Sequence, residues 1–239
     1  ATVDETEKIL VGAGRGAIEV QGWVARSRAE TAGSLPESLW DTPTVNFTAG
    51  DFEAIDAQQL SVSGHARLGP GTIAVIVFGR RSHAERFNVN QAPDPDVRSF
   101  TTNRSLGTSV DWRWAPPVGW GGLGIRAGAE LIASDVSVRI FNEVPGAASL
   151  RTTDAASVGW SAAGYLAADW AAGPVVVSAG ARLDRVRVPF ENRLRPVDRT
   201  VNDFTSVNPR AGVTVRVTPS ADLYFSVGRT FRPPVIVVE

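Results

Sequence analysis

Val177-Ser-Ala-Gly-Ala-Arg-Leu-Asp184 and, one segment later, Arg210-Ala-Gly-Val-Thr-Val-Arg-Val217 decide the fold. In the first, Val177, Ala179, Ala181 and Leu183 are apolar, while Ser178, Gly180, Arg182 and Asp184 are small or charged. In the second, Ala211, Val213, Val215 and Val217 alternate with Arg210, Gly212, Thr214 and Arg216. A repeat of two residues is the mark of a strand whose faces meet different surroundings. Thr218-Pro-Ser-Ala-Asp222 breaks the pattern with turn chemistry, and Leu223, Phe225 and Val227 then alternate with Tyr224, Ser226 and Gly228. Strands joined by so short a turn pair as an antiparallel hairpin.

Several motifs follow in a fixed order: Val177-Ser-Ala-Gly-Ala-Arg-Leu-Asp-Arg185, Asn208-Pro-Arg-Ala-Gly-Val213, Thr218-Pro219, Leu223-Tyr224, Ser226 and Arg229-Thr-Phe-Arg-Pro-Pro234. This set resembles the middle-to-late barrel strands of TonB-dependent outer-membrane receptors, with a fainter match at Gly164-Tyr165 and Asp169-Trp170. The resemblance covers only the end of the chain. It implies a β-barrel of the bacterial outer membrane that imports a scarce ligand, such as a metal-siderophore complex or cobalamin. It also implies partners in the full-length receptor, namely a plug domain inside the barrel and the TonB complex.

Composition narrows the classes independently. The chain has 239 residues, no Cys and no Met, so it offers neither a disulfide framework nor a thiolate metal site. With 24 basic against 25 acidic residues it lacks the basic excess of a nucleic-acid binder. No apolar run approaches the ~20 residues of a membrane-spanning helix, whereas barrel strands need only about 9 to 11 residues each. No signal peptide pattern opens the sequence, and a plug domain is not expected within it.

Along the chain, a glycine cluster, Gly12-Ala-Gly-Arg-Gly16, precedes Ile18, Val20, Gly22 and Val24, which alternate with polar residues and Trp23. The cluster therefore reads as a hairpin turn; a phosphate-binding loop would open a helix. Further alternating segments carry Leu60 to Leu68, Leu106 to Trp114 and Leu123 to Ala133. The segment from Thr72 is apolar on both faces through Phe78, so its facing stays open. After Asp135 the apolar phase shifts to Val136, Val138 and Ile140, which predicts either a bulge there or a departure from the bilayer. Connections at Gly69 to Gly71, Pro116 to Gly122, Ala171 to Pro174 and Thr218 to Asp222 are short; those near 30–55, 88–98, 143–154 and 191–203 are longer and polar. Alternating tight turns and extended loops is what an up-and-down outer-membrane barrel produces.

Trp112, Trp114 and Trp120 gather at one tight turn, Trp170 precedes another, and Tyr224 with Phe225 follows a third. Such placement suits an interfacial aromatic girdle; the other reading is core packing in a soluble β-sandwich.

Little in the sequence carries chemistry. His65 and His83 cannot by themselves build a catalytic metal site, no Gly-x-Ser-x-Gly elbow occurs, and Asp94-Pro-Asp96 reads as turn chemistry. No catalytic residue, no metal site and no cofactor is expected, and no substrate-binding residue can be named. The charged residues Arg67, Asp111, Arg113, Arg126, Glu130, Arg182, Asp184 and Arg216 fall on the polar side of the alternation. They either pair with one another and a plug or line a ligand path. The expectation is an all-β, antiparallel, up-and-down transmembrane β-barrel domain, residues 1–239, forming a partial barrel of about nine or ten strands against about 22 in the resembled receptors. The alternative is a small self-contained barrel acting as a passive pore or surface structural protein. Pairing of the first strand with the last would favour the second reading, and two free edges the first.

Overall fold

The computed structural model describes residues 4–30, 41, 50–90, 94–118, 121–144, 146 and 149–231. They form one antiparallel sheet: β1 (Asp4–Arg15), β2 (Ile18–Glu30), β3 (Phe52–Leu68), β4 (Gly71–Asn88), β5 (Asp96–Trp114), the short β6 (Pro117–Val118), β7 (Gly121–Glu143), β8 (Leu150–Ala172), β9 (Val175–Asn192), β10 (Arg199–Thr218) and β11 (Ala221–Gly228). Spatial order follows chain order, with β6 pairing only β7. Among the described residues β1 does not pair with β11, so the sheet is an open arc with two free edges.

The turns explain this meander. Gly16, Gly69 and Gly173 have φ of 64°, 58° and 59°, each at the first position of a two-residue loop closed by Arg15–Ile18, Leu68–Gly71 and Ala172–Val175. A positive φ at that corner matches the twist of the strands it joins, and glycine reaches it without a Cβ penalty. All tight connections lie at one end of the sheet and the extended ones at the other.

Cross-strand register fixes the two faces. Val11, Gly22, Leu60, Gly79, Leu106, Ala133 and Trp160 are successive partners across seven strands and share one face. His65, Ala74, Asp111, Gly128, Tyr165, Arg182 and Asn208 form a row on the other. Every alternating segment read from the sequence falls on the same apolar face. The strand of open facing, β4, is resolved by its partners: Val75 lies between Gly64 and Val110, and Ala74 between His65 and Asp111. At two glycines of the polar face a neighbouring ring fills the space, Phe78 over Gly107 and Tyr165 over Gly128.

Some boundaries differ from expectation. Strands run several residues into the supposed loops, with β3 starting at Phe52, β5 at Asp96, β8 at Leu150 and β10 at Arg199. Polar side chains at those ends hid them, because there both faces meet water and no alternation survives. Gly12 and Gly14 lie within β1, and only Gly16 turns the chain. No bulge interrupts β7 at Asp135, which pairs regularly with Arg104 and Val158; the register shift comes at Ile140/Phe141. The outer face instead turns from Leu131 and Ala133 to Asp135, Ser137 and Arg139 along a continuous strand, the signature of leaving the hydrocarbon. Trp120 and most of 30–55 lie outside the described residues.

There is no dry core. Among the described residues no side chain is fully buried, and Leu60, Leu106, Leu223 and Phe225 are 58%, 63%, 68% and 68% exposed. One sheet without a second layer excludes the β-sandwich. Each large apolar side chain left in water forgoes about 1.5–3 kcal/mol of burial, so a whole face of them requires lipid. The strands of β7 and β8, 23 residues each, far exceed the ~10 residues that cross a bilayer.

Candidate functional site

The polar face gathers the charges that the alternation placed there. Asp111 on β5 accepts from Arg113 Nε and Arg126 Nε, each at 2.6 Å, and from the Tyr165 hydroxyl at 2.5 Å. Asp111, Gly128 and Tyr165 are in register across three strands, so glycine under the ring lets the phenol reach the carboxylate. A second knot is centred on Arg182 of β9, which donates from Nη2 to Glu130 at 2.6 Å and from Nε to Asp184 at 2.8 Å. Asn208 of β10 donates to the other Asp184 oxygen at 2.8 Å and accepts from Ser206 Oγ at 3.2 Å. Ion pairs with charge-assisted hydrogen bonds are the strong kind, and here each carboxylate meets at least one guanidinium.

The network joins six of the eight expected charges. Arg216 pairs loosely with Asp222 at 3.6 Å, and Arg67 takes no part. Tyr165 and Asn208 entered the sequence reading only within the resembled motifs and Ser206 not at all, although their even or odd positions on β8 and β10 already place them on this face. Tyr224 faces Thr214 on the polar side, away from the apolar face that holds Trp112, Trp114 and Trp170. Those tryptophans sit at the tight-turn end, with Trp112 and Trp114 centroids 5.9 Å apart.

Between the second knot and the β10–β11 edge lies a cavity of about 530 Å³, lined by Arg126, Glu130, Tyr165, Arg182, Asn208, Arg210 and Arg229 among others. Its donors and acceptors can hold polar groups of a ligand or of a protein segment. Nothing in it supplies a nucleophile with an adjacent base. His65 stands in the polar row as a lining residue, and His83 Nδ1 shares a hydrogen bond with Thr102 Oγ1 at 3.0 Å on the opposite face. No group of three or more His, Asp or Glu able to hold a metal occurs among the described residues. Asp96 and Pro95 clip the loop, accepting from Asn90 N at 2.9 Å and Asn90 Nδ2 at 2.7 Å, which is turn chemistry.

At the extended end the outer face is tied together beyond the bilayer. Arg98 donates to Glu143 at 2.7 Å and to Glu85 at 2.5 Å, and its guanidinium lies 4.9 Å from the Phe87 centroid. Hydrogen bonding to Glu143, the larger effect, and to Glu85 raises its pKa above the usual arginine value.

A family model described as TonB dependent receptor-like, beta-barrel matches residues 14–237. Among solved structures, the chain superposes on the ferric citrate transporter FecA with a TM-score of 0.85 at 12% identity, covering 95% of this chain and 36% of that one. It superposes on the open form of the ferric-catecholate import receptor Fiu from E. coli K12 with a TM-score of 0.77 at 12% identity, covering 98% and 47%. For BauA, the ferric preacinetobactin receptor from Acinetobacter baumannii, the TM-score is 0.75 at 11% identity, covering 94% and 39%. The chain thus spans less than half the length of these structures, and at such identity the likeness is one of fold. No curated protein sequence matches it. With the family match spanning almost the whole chain and the open, lipid-facing sheet agreeing with it, the chain belongs to the TonB-dependent receptor-like β-barrel family, whose members are receptors of the Gram-negative outer membrane and not enzymes.

Proposed function

We propose that this chain forms part of the wall of a receptor that imports a scarce small-molecule ligand, such as a ferric siderophore or cobalamin, across the outer membrane, driven by the TonB complex. The family match over 14–237 carries this reading. The structural neighbours, a ferric citrate transporter and receptors for ferric-catecholate and ferric preacinetobactin, favour an iron chelate as the ligand class. The polar face would then pack its ion-pair network against a plug domain, which needs fixed charges that are already satisfied by one another and yield by exchange.

The test is uptake of a radiolabelled iron complex by cells carrying or lacking the gene, with and without a functional TonB. Loss of uptake in both the deletion and the TonB-deficient background is expected. Uptake independent of TonB, with ohmic conductance in planar bilayers, would instead support the self-contained pore; the two free edges argue against that reading.

A further inference from the structure

Two arginines on the lipid-facing side of the sheet stand directly opposite one another, and neither closes an ion pair among the described residues. Arg81 of β4 and Arg104 of β5 are cross-strand partners, both exposed. Like charges in that relation are destabilising. Asp135, the next partner of Arg104 on β7, does not bridge to it. Arg139, two positions further along the same face of β7, lies 5.9 Å from the Phe100 ring. These residues, with His83, Thr102, Ser137 and Arg193, line a pocket of about 390 Å³. Arg193 is turned partly toward Asp154, at 3.9 Å. The cluster thus carries a surplus of cations at a site that a chain of balanced composition had carboxylates available to fill.

Its position gives that surplus a partner. The row Gln58, Arg81, Arg104, Asp135 lies one step beyond the row Leu60, Gly79, Leu106, Ala133, where the apolar band ends. Below Arg81, Gly79 separates two protruding leucines, and a Cβ added there would meet nothing within 4 Å. A gap therefore opens over Gly79 between Leu60 and Leu106, lined also by Arg81 and Arg104. Cations at headgroup depth beside such a gap match an anionic amphiphile, whose phosphate oxygens accept from both guanidinium groups while a chain fills the gap.

We propose that Arg81, Arg104 and Arg139 form a docking site for the phosphorylated headgroup of an outer-leaflet lipid, with one of its acyl chains lying in the gap over Gly79. The lipid is an annular component of the wall, distinct from any transported ligand on the polar face.

Native mass spectrometry of the intact protein in a non-ionic detergent, titrated with phosphatidic acid, phosphatidylcholine and inorganic phosphate, tests this. Phosphatidic acid should bind about tenfold more tightly than phosphatidylcholine, and Arg81→Gln with Arg104→Gln should abolish the difference. Arg26→Gln, on the same face but paired with Asp56 at 3.2 Å, should leave it unchanged. Should the double variant fail to fold, Gly79→Leu serves: it fills the gap and should weaken binding of long-chain but not of dihexanoyl phosphatidic acid. Equal binding of the two lipids, an unchanged double variant, or competition by inorganic phosphate as effective as by lipid would overturn the proposal.

Discussion

Arg182 and Glu130 stand on β9 and β7, two strands that do not touch, yet Arg182 Nη2 lies 2.6 Å from Glu130 Oε2 across the full width of β8. The bridge passes over Ala163, the residue of β8 that pairs with both Glu130 and Asp184. A methyl group there leaves the space the guanidinium crosses. Removing it with Arg182→Ala strands two carboxylates on the polar face. With these side chains 38% and 39% exposed, the expected loss is modest, about 1 kcal/mol; Ala163→Phe should cost a similar amount by blocking the path. Unfolding of purified variants in denaturant, with Glu130→Gln/Arg182→Ala as the closing corner of a double-mutant cycle, measures the coupling.

Gly128 is a second point of close fit. A Cβ there would overlap Tyr165 Cζ and its hydroxyl, and would come within 2.5 Å of the Val110 carbonyl oxygen. Gly128→Ala should therefore displace the ring, break its bond to Asp111 and cost roughly 1–3 kcal/mol by overpacking. Gly79→Ala, where the same atom meets open space, should change stability far less. A Gly128→Ala variant as stable as the parent would mean that the ring is not held against β7.

The assignment of faces makes a depth-dependent prediction. Ala129→Arg, at mid-height on the apolar face of β7, should cost about 2–4 kcal/mol of folding free energy in lipid bilayers, whereas Ser137→Arg, on the same face of the same strand but beyond the band, should cost about 0–1. Reversible folding into liposomes reads both. Equal costs at the two positions would place the hydrocarbon boundary elsewhere.

The free edges predict that residues 1–239 expressed alone do not form a heat-modifiable barrel, since β1 and β11 leave unpaired backbone donors and acceptors that lipid cannot satisfy. The same residues within a chain that supplies further strands should migrate as a folded species on unheated gels. A folded, detergent-stable product from the isolated segment would contradict the open arc.

Much of this was legible in the residue order because a bilayer-facing strand must alternate. Leu123 to Ala133 and Val177 to Leu183 announced their faces, and pairing then confirmed that they share one. The tight turns were equally plain, since Gly173-Pro174 and Gly69-Pro70 have few other uses. What stayed hidden lay beyond the membrane: Asp96 to Phe100 and Leu150 to Asp154 are strand, but with solvent on both sides no periodicity records it. The facing of β4 was hidden for the opposite reason, since Ile76 and Phe78 are apolar although they line the polar side, Phe78 covering Gly107. The charged network was visible as a list of inward residues. Its connectivity was not, because the reach of Arg182 over Ala163 depends on register between strands some 50 residues apart in sequence.

For the import role proposed above, the length of β7 and β8 bears on how a ligand is met. From Asp135 to Glu143 the ladder continues past Ala133, where the outer apolar band ends, a run of about 30 Å measured along the strand. Paired backbone that far from the hydrocarbon is a stiff collar, so the connections it carries are held at a standoff from the lipid surface. First encounter with a solute accordingly takes place out in the aqueous phase, and the descent toward the wall's charged lining begins only afterwards.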